Sequence, residues 1–365
     1  MKGTRFLGGR RQSTAAIRTR EKRAWWQRSG NGKFVAAVIL AAVVIALPQM
    51  TSSSYYVLVL GGIGIAAILA LSLGLLFGYT GQMSFAHGAF YGIGAYTAAL
   101  LTTRAQISFW VALLASMLVA GSIAYLTGRP TLRLAGNYLA IATLALQIAI
   151  SEFFSQASAI TNGTVGIFGI QRPAGFESDA RYTQLILFVA VLCLVASTRI
   201  VSSRFGRALL VVRHDETAAG ALGANPAHYK VAVFVLSASM AGLAGALYAH
   251  QILFISPVTF DINQSILILS MVVIGGVASN FGAVLGAIAV TIVTQLLFSV
   301  GDLSFLIYGF WIVIVIVFFP QGLVGLFRAV WRVLATAAFK VRQNVNGRPG
   351  KPEGEQIGSG HVDAS

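Results

Sequence analysis

The sequence predicts an all-α protein, a polytopic transmembrane bundle of about ten helices with both termini on the cytoplasmic side. Three observations carry that expectation. Of 365 residues, 56% are hydrophobic and only 10% are charged, and the mean hydropathy of +0.78 lies well outside the usage of soluble domains. A soluble core cannot hide that much apolar surface. The apolar residues also gather into long runs separated by short polar stretches, as helices in lipid require. Finally, the net charge of +15 is concentrated at the two ends of the chain. Lys2, Arg5, Arg10, Arg11, Arg18, Arg20, Lys22, Arg23, Arg28 and Lys33 precede the first apolar run, and Arg328, Arg332, Lys340, Arg342, Arg348 and Lys351 follow the last. Positive charge stays on the cytoplasmic side, so both ends belong there and the number of crossings is even. The same distribution favours membrane orientation over nucleic-acid binding as the reason for the basic excess.

Residues 1–33 form a basic arm, expected to be disordered and to touch anionic lipid headgroups. The arm is too long and too evenly charged for the first region of an ordinary signal peptide, and its Trp25-Trp26 pair suits a membrane interface. Residues 34–326 form the membrane domain, and 327–365 a largely disordered cytoplasmic tail. The first span, 34–49, is short and reads as a signal anchor. The second, 55–78, opens on the interfacial pair Tyr55-Tyr56. The third, 84–103, carries Gly88, Gly92 and Gly94, a spacing of small residues that lets a neighbouring backbone approach. Span 108–128 is followed by Arg129 and Arg133, and span 136–156 carries Gln147 and Glu152.

Residues 157–182 make the longest external loop. Span 183–201 returns the chain inward to a polar cytoplasmic stretch, 202–230, and span 231–254 follows with Gly242 and Gly245 as contact positions. The apolar run 265–297, about 33 residues at ~1.5 Å each, is too long for one untilted span. Gly275-Gly276 and Ser279-Asn280-Phe281-Gly282 divide it into two pieces, fully spanning or re-entrant. A last span, 304–319, ends at Phe319-Pro320-Gln321-Gly322-Leu323. On this topology Arg104, Arg172 and Arg181 are the basic residues placed outside, with Glu177, Asp179, Asp261 and Asp302. Gly88-Ala89-x-x-Gly92 and Gly282-Ala283-x-x-Gly286 form a weak internal echo.

Several chemistries are excluded. Cys193 stands alone inside an apolar run, so a disulfide framework and a C-x-x-C redox or metal site are absent. No phosphate-binding loop occurs, since Gly32-Lys33 is followed by Phe34. The sequence has no H-E-x-x-H, no G-x-S-x-G and no run of intramembrane acids like those of proton-coupled pumps. It therefore offers no catalytic residue, no metal ligand set, no cofactor site of its own and no means of hydrolysing ATP.

The polar stretch 202–230 sets Arg204, Arg207, Arg213 and Lys230 against Asp215 and Glu216 around a middle rich in alanine and glycine. Its Thr217-Ala218-Ala219-Gly220-Ala221-Leu222-Gly223 resembles the E-A-A-x-x-x-G loop of ABC-importer permeases, with threonine in place of the usual glutamate and Glu216 one position earlier. Other motifs are Gly78-Tyr79-Thr80-Gly81-Gln82-Met83-Ser84, His87-Gly88-Ala89-Phe90, Gly92-Ile93-Gly94-Ala95-Tyr96, Gly206-Arg207-Ala208-Leu209, Gly275-Gly276 and the Phe319 to Leu323 sequence. Together they are similar to the membrane permease of the branched-chain amino-acid ABC importers. Gly136-Asn137-Tyr138-Leu139-Ala140 and the loop Thr161-Asn162-Gly163-Thr164-Val165-Gly166 resemble the M-type subunit in particular.

The resemblance implies a transport subunit of the bacterial inner membrane, multi-pass, paired with an H-type permease. It further implies two cytoplasmic ATPase subunits, which would bind ATP and Mg, and a periplasmic binding protein that delivers substrate. Relatives in the family serve urea, short amides and small carboxylates, so branched-chain amino acids are the leading substrate and not the sole candidate. An ion-gradient-driven secondary transporter is the alternative of another class. The expected ATPase-coupling segment comprises Arg207, Arg213, Asp215, Glu216, Thr217, Ala218, Ala219, Gly223, Asn225 and Pro226. Gln82, Ser84 and His87, at the start of a glycine-rich helix whose N-terminus offers backbone donors, are candidates for the translocation path with Asn137 and Gln147. His87 by itself reads as a packed, hydrogen-bonded residue ahead of a proton carrier. Thr161, Asn162, Gly163, Thr164 and Gly166 are candidates for an external gate or docking loop.

Overall fold

The computed structural model describes residues 44–49, 53–132, 134, 136–221, 223, 225–298, 307, 309–311 and 322–325. The basic arm, the C-terminal tail and most of the expected first and last spans lie outside the described residues; of the first span, residues 44–49 are described and helical. The described helices are α1 (Ser54–Thr80), α2 (His87–Thr103), α3 (Phe109–Thr131), α4 (Asn137–Gln156), α5 (Ser158–Thr161), α6 (Asp179–Ser202), α7 (Arg204–His214), α8 (Glu216–Ala221), α9 (Pro226–Ile252), α10 (Ile262–Gly275) and α11 (Asn280–Phe298). Six of them, α1, α3, α4, α6, α9 and α11, are long and apolar enough to cross a membrane. Two strands of two residues each, β1 (Ile167–Phe168) and β2 (Phe254–Ile255), pair antiparallel, Ile167 opposite Ile255.

The composition of each helix sets its place. α1 is apolar all round, which suits a helix enclosed by others, and from Gly64 to Leu76 every residue is buried. It packs against α6, α9, α10 and α11. α9 is the second central helix and lies against α2, α3 and α1. By contrast α4 buries mainly Leu139, Thr143, Gln147 and Phe154, a single stripe along one side of the helix. Its remaining surface is open to lipid or to another chain.

Besides the short α5, α7 and α8, the apolar helices α2 and α10 are too short for a full crossing. α2 has 17 residues, about 25 Å at ~1.5 Å each, against a hydrocarbon core of roughly 30 Å. The expected span 84–103 opens instead with a non-helical stretch, 81–86, that leads from the end of α1 back into the bundle. Gly81, at φ 72°, provides the left-handed cap that ends α1, its N–H bonding the Phe77 carbonyl at 3.1 Å. α10 has 14 residues. The long apolar run 265–297 divides after Gly275, where Gly276 takes φ 114°, and helix resumes at Asn280.

α2, α3 and α9 meet without side chains between them. A Cβ on Gly94 would lie 2.0 Å from the Gly242 carbonyl oxygen, and one on Gly245 would lie 2.0 Å from that of Tyr91. Where backbones come this close, dispersion contacts replace the hydrophobic drive that lipid does not supply. Ser116 on α3 adds a hydrogen bond to the Gly94 carbonyl at 3.0 Å. Gly94→Val should therefore force α2 and α9 apart. The expected loss of stability is about 1–3 kcal/mol or more, read as a lower midpoint of thermal unfolding in detergent, while Gly62→Val, in open space, should leave the midpoint near wild type.

Candidate functional site

The short helices α2 and α10 begin beside one another in the interior of the bundle. A helix leaves its first N–H groups without internal partners, and in lipid each must find one. Here side chains of α4, of α10 and of the cap before α10 supply them. The Gly88 N–H donates to Ser265 Oγ at 2.9 Å, and the Ala89 N–H donates to Gln147 Oε1 at 2.5 Å. Ser265 Oγ in turn donates to Gln147 Oε1 at 3.0 Å. The other end of the Gln147 amide, Nε2, donates to the Phe260 carbonyl at 2.8 Å. One buried glutamine from the middle of α4 thus fixes the start of α2, the start of α10 and the turn before α10. Just upstream, the Phe85 N–H donates to Thr143 Oγ1 at 3.1 Å, one turn of α4 away.

The N-terminus of α10 is closed by Asp261. Its Oδ1 accepts from the Gln264 N–H at 3.2 Å, and its Oδ2 accepts from Asn263 Nδ2 at 2.6 Å. Two helix N-termini carry partial positive charge and repel when brought together. The Asp261 carboxylate and the Gln147 carbonyl oxygen offset that repulsion. The Asp261 backbone carbonyl lies against Gly88, and the Gln147 amide holds the carbonyl of Phe260 just before it. Asn263 and Ile266 beside it are exposed.

His87, fully buried, is held from the inside. Ser237 Oγ donates to the Ser72 carbonyl at 2.6 Å, which uses its one proton, so His87 Nε2 at 2.7 Å must be the donor to Ser237. That fixes the histidine tautomer and joins α1, α9 and α2 in one chain of hydrogen bonds. Of the path candidates, Gln82, Ser84, His87 and Gln147 are buried, in and around this junction. Asn137 is not among them; it is exposed at the start of α4. Reasoning from sequence missed Ser72, Thr143, Ser237, Asp261 and Ser265. Asp261, three residues before Gln264 and ahead of an apolar run, carried the signature of a helix cap. The serines had no signature at all.

The loop after α4 is a compact knot. Thr161 Oγ1 donates to the Phe154 carbonyl at 2.7 Å and accepts from the Gly163 N–H at 3.2 Å. Asn162 takes a left-handed conformation, φ 62°, donates to the Gly166 carbonyl at 3.2 Å and accepts from Arg104 Nη2 at 3.0 Å. A Cβ on Gly166 would meet the Ile255 carbonyl at 2.2 Å, so the loop closes tightly on β2, and of the five residues Asn162 and Thr164 are exposed. Nearby, Arg172 donates to the carbonyls of His250 at 3.3 Å and Gln251 at 3.2 Å, capping the end of α9, and pairs with Asp179 at 2.6 Å.

At the opposite, basic end, α7 and α8 form a helical hairpin. Asp215 caps α8, its Oδ1 accepting from the N–H groups of Thr217 at 2.8 Å and Ala218 at 3.0 Å. Asn225 caps α9 by accepting from the His228 N–H at 3.3 Å, with Pro226 in the first turn. Two polar contacts fasten the hairpin to the bundle beside the buried Leu209 and Val212: Arg213 donates to the Gly78 carbonyl at the end of α1, and Glu216 pairs with Lys230 of α9. Arg207 donates to the Ser202 carbonyl at 3.1 Å. Ala219 is buried, whereas Thr217, Ala218, Gly220 and Gly223 are exposed. The Glu216 carboxylate, sought as the family's displaced acid, is therefore engaged within the chain. No metal could be held by a group of three or more His, Cys, Asp or Glu among the described residues.

A bundle with six helices able to cross a bilayer and two interrupted helices joined in its interior is a multi-pass membrane protein. The family follows from the comparisons. The chain belongs to the family described as branched-chain amino acid transport system / permease component, whose model matches residues 55–319, a transport component and not an enzyme. It is 33% identical over 291 residues to the high-affinity branched-chain amino acid transport system permease protein LivM of Escherichia coli K12, covering 72% of this chain and 68% of that protein. The probable branched-chain amino acid transport permease LivM of Methanocaldococcus jannaschii is 24% identical, over 73% of this chain and 82% of the relative. The permease LivH of Escherichia coli K12 is 25% identical, over 63% of this chain and 80% of the relative. No solved structure matches the chain.

Replacement of Gln147 by leucine, close in volume, would strand the Ala89 N–H and the Phe260 carbonyl. An orphaned buried group costs about 1–3 kcal/mol. Gln147→Leu should lower the unfolding midpoint in detergent by several degrees, whereas Asn137→Leu, on exposed helix surface, should not; equal midpoints for the two variants would overturn the role given to Gln147.

Proposed function

We propose that this chain is one membrane subunit of an ATP-driven importer that carries branched-chain amino acids across the bacterial inner membrane into the cytoplasm. It works with a second, H-type permease, two cytoplasmic ATPase subunits that bind ATP and Mg, and a periplasmic binding protein. Both termini lie in the cytoplasm. The family and the names of its relatives support the substrate class. The observation that carries the energy-coupling reading is the α7–α8 element, which is tied to the core helices α1 and α9, buries Leu209, Val212 and Ala219 and leaves Thr217, Ala218, Gly220 and Gly223 exposed.

An ATPase that moves the hairpin would pull on the end of α1 through Arg213, and stretch 81–86 would pass the displacement to the start of α2. Alternating access then arises at the junction of α2 and α10. The half-buried Asp261 and the exposed Asn263 beside that junction mark the path. Polar groups at this depth are unfavourable against lipid, so the face they occupy is turned towards the second permease and the solute. The Asp261 carboxylate is suited to the ammonium group of an amino acid.

Two experiments test these steps. Gly220 is exposed, and a Cβ there would meet nothing within 4 Å, so Gly220→Trp should fold and insert normally yet block the ATPase contact. Uptake of labelled leucine should fall at least tenfold while the ATPase activity of the assembled complex no longer responds to substrate; wild-type uptake would refute the docking role. Asparagine caps helices as well as aspartate, so Asp261→Asn should accumulate normally. Loss of a charge-assisted bond, worth about 1.5–3 kcal/mol, should raise the KM for leucine tenfold or more, and an unchanged KM would remove Asp261 from the path.

A further inference from the structure

We propose that a groove at the basic end of the bundle, between α3, the α7–α8 hairpin and the first half of α9, binds an anionic phospholipid of the cytoplasmic leaflet. The groove has a volume of about 1170 Å³. It follows α9 from Asn225 to Ser239, which at ~1.5 Å per residue is roughly 20 Å, comparable with one leaflet of a bilayer whose core is roughly 30 Å thick. Its polarity changes along that length. Arg129, His228 and the Lys230–Glu216 pair line the basic end, and above them the walls are Val231, Val235 and Leu236. This is the profile of a phospholipid standing in the membrane, with its head at the interface and an acyl chain rising beside α9.

The charge is arranged for an anionic head. Lys230 is already matched by Glu216, but Arg129 forms no ion pair among the described residues. Its guanidinium carbon lies 4.6 Å from the centroid of the Tyr125 ring, which steadies the plane and leaves the edge N–H groups free for phosphate oxygens. His228 is exposed on the same rim. Basic pockets between membrane helices on the cytoplasmic side are a recurrent setting for anionic lipid heads. A cytoplasmic protein could reach Arg129 and His228 but not the apolar length of the groove above them, and a free phosphate would leave that length unused. The assignment rests on the orientation proposed above, which the uptake experiments test separately from the lipid measurements.

The test uses the full chain extracted from its membrane in mild detergent, with bound lipid quantified by mass spectrometry. Phosphatidylglycerol or cardiolipin should be retained in preference to phosphatidylethanolamine. Arg129→Ala should lower retention about fivefold, the factor expected for one basic side chain near an anionic surface, and Arg129→Lys should keep most of it. Val235→Trp, which fills the apolar part and leaves every charge in place, should also lower it. In delipidated protein, phosphatidylglycerol vesicles should raise the unfolding temperature and inorganic phosphate should not. Equal retention of phosphatidylethanolamine, undiminished retention in both Arg129→Ala and Val235→Trp, stabilisation by phosphate equal to that by the lipid, or release of the lipid on addition of the ATPase subunits would each overturn the proposal.

Discussion

The structure depends on a single constraint: a backbone N–H inside the bilayer must have an acceptor. An unbroken helix satisfies that by itself, and α1, α6 and α9 do so along their length. Interrupting helices in the interior, as α2 and α10 are interrupted, creates free donors that other parts of the protein must meet. Gln147 and Ser265 meet them at Ala89 and Gly88, and Asp261 meets that of Gln264. The stripe of α4 that faces inward, Leu139, Thr143, Gln147 and Phe154, is then understandable as a whole. Two of its four members are polar because the helix they face begins there.

The same constraint explains why α9 can be so long and so central. Its contact with α2 and α3 runs through Gly94, Gly242 and Gly245, with the Ser116 hydroxyl bonded to the Gly94 carbonyl. Close packing of this kind fixes the depth of α2 relative to α9. His87 therefore meets Ser237, and through it the Ser72 carbonyl. Close glycine contacts and interior hydrogen bonds act together: the first set the distance between helices, and the second set which residues face across it.

How much of this was legible in the sequence depends on the kind of signal each residue carries. The all-helical membrane bundle was legible, because hydropathy over a run of residues reports on lipid directly. So was the break in the run 265–297, where Gly275 and Gly276 announce a turn. The hairpin was marked by its charges, though the sequence could not show that Glu216 would be turned inward to Lys230 and that Arg213 would reach Gly78. The short start of α2 was legible only in part: Gly81 and Gln82 mark the break after α1, but nothing in Ser84-Phe85-Ala86 sets them apart from the helix that follows. Gln147 stood out as a polar residue in an apolar span, but its partners come from positions 58 and 118 residues away. No local pattern can reveal a contact made by tertiary packing. Serines 72, 237 and 265 were invisible for the same reason, since serine is common in membrane helices.

The geometry between the hairpin and the junction limits how a movement at one could reach the other. Arg213 holds the last turn of α1, and Gly81, one residue beyond that helix, lies beside the same arginine, whose Cγ would be 3.6 Å from an added Cβ. From Gly81 five residues lead to His87. Because the stretch is not helical, it can change its path without breaking a ladder of internal hydrogen bonds. Its two ends, however, are fixed, at Gly78 by Arg213 and at Phe85 by Thr143. A displacement of the hairpin must therefore be taken up by those few residues or passed to α2. Gln82, buried and placed between the two fixed points, is positioned to feel either outcome, and the Thr80 hydroxyl 3.3 Å from its Oε1 ties it to the end of α1. A movement of the hairpin would thus have a short covalent route, from the end of α1 to the start of α2, with Arg213 at its entrance and Gln147 of α4 at its exit.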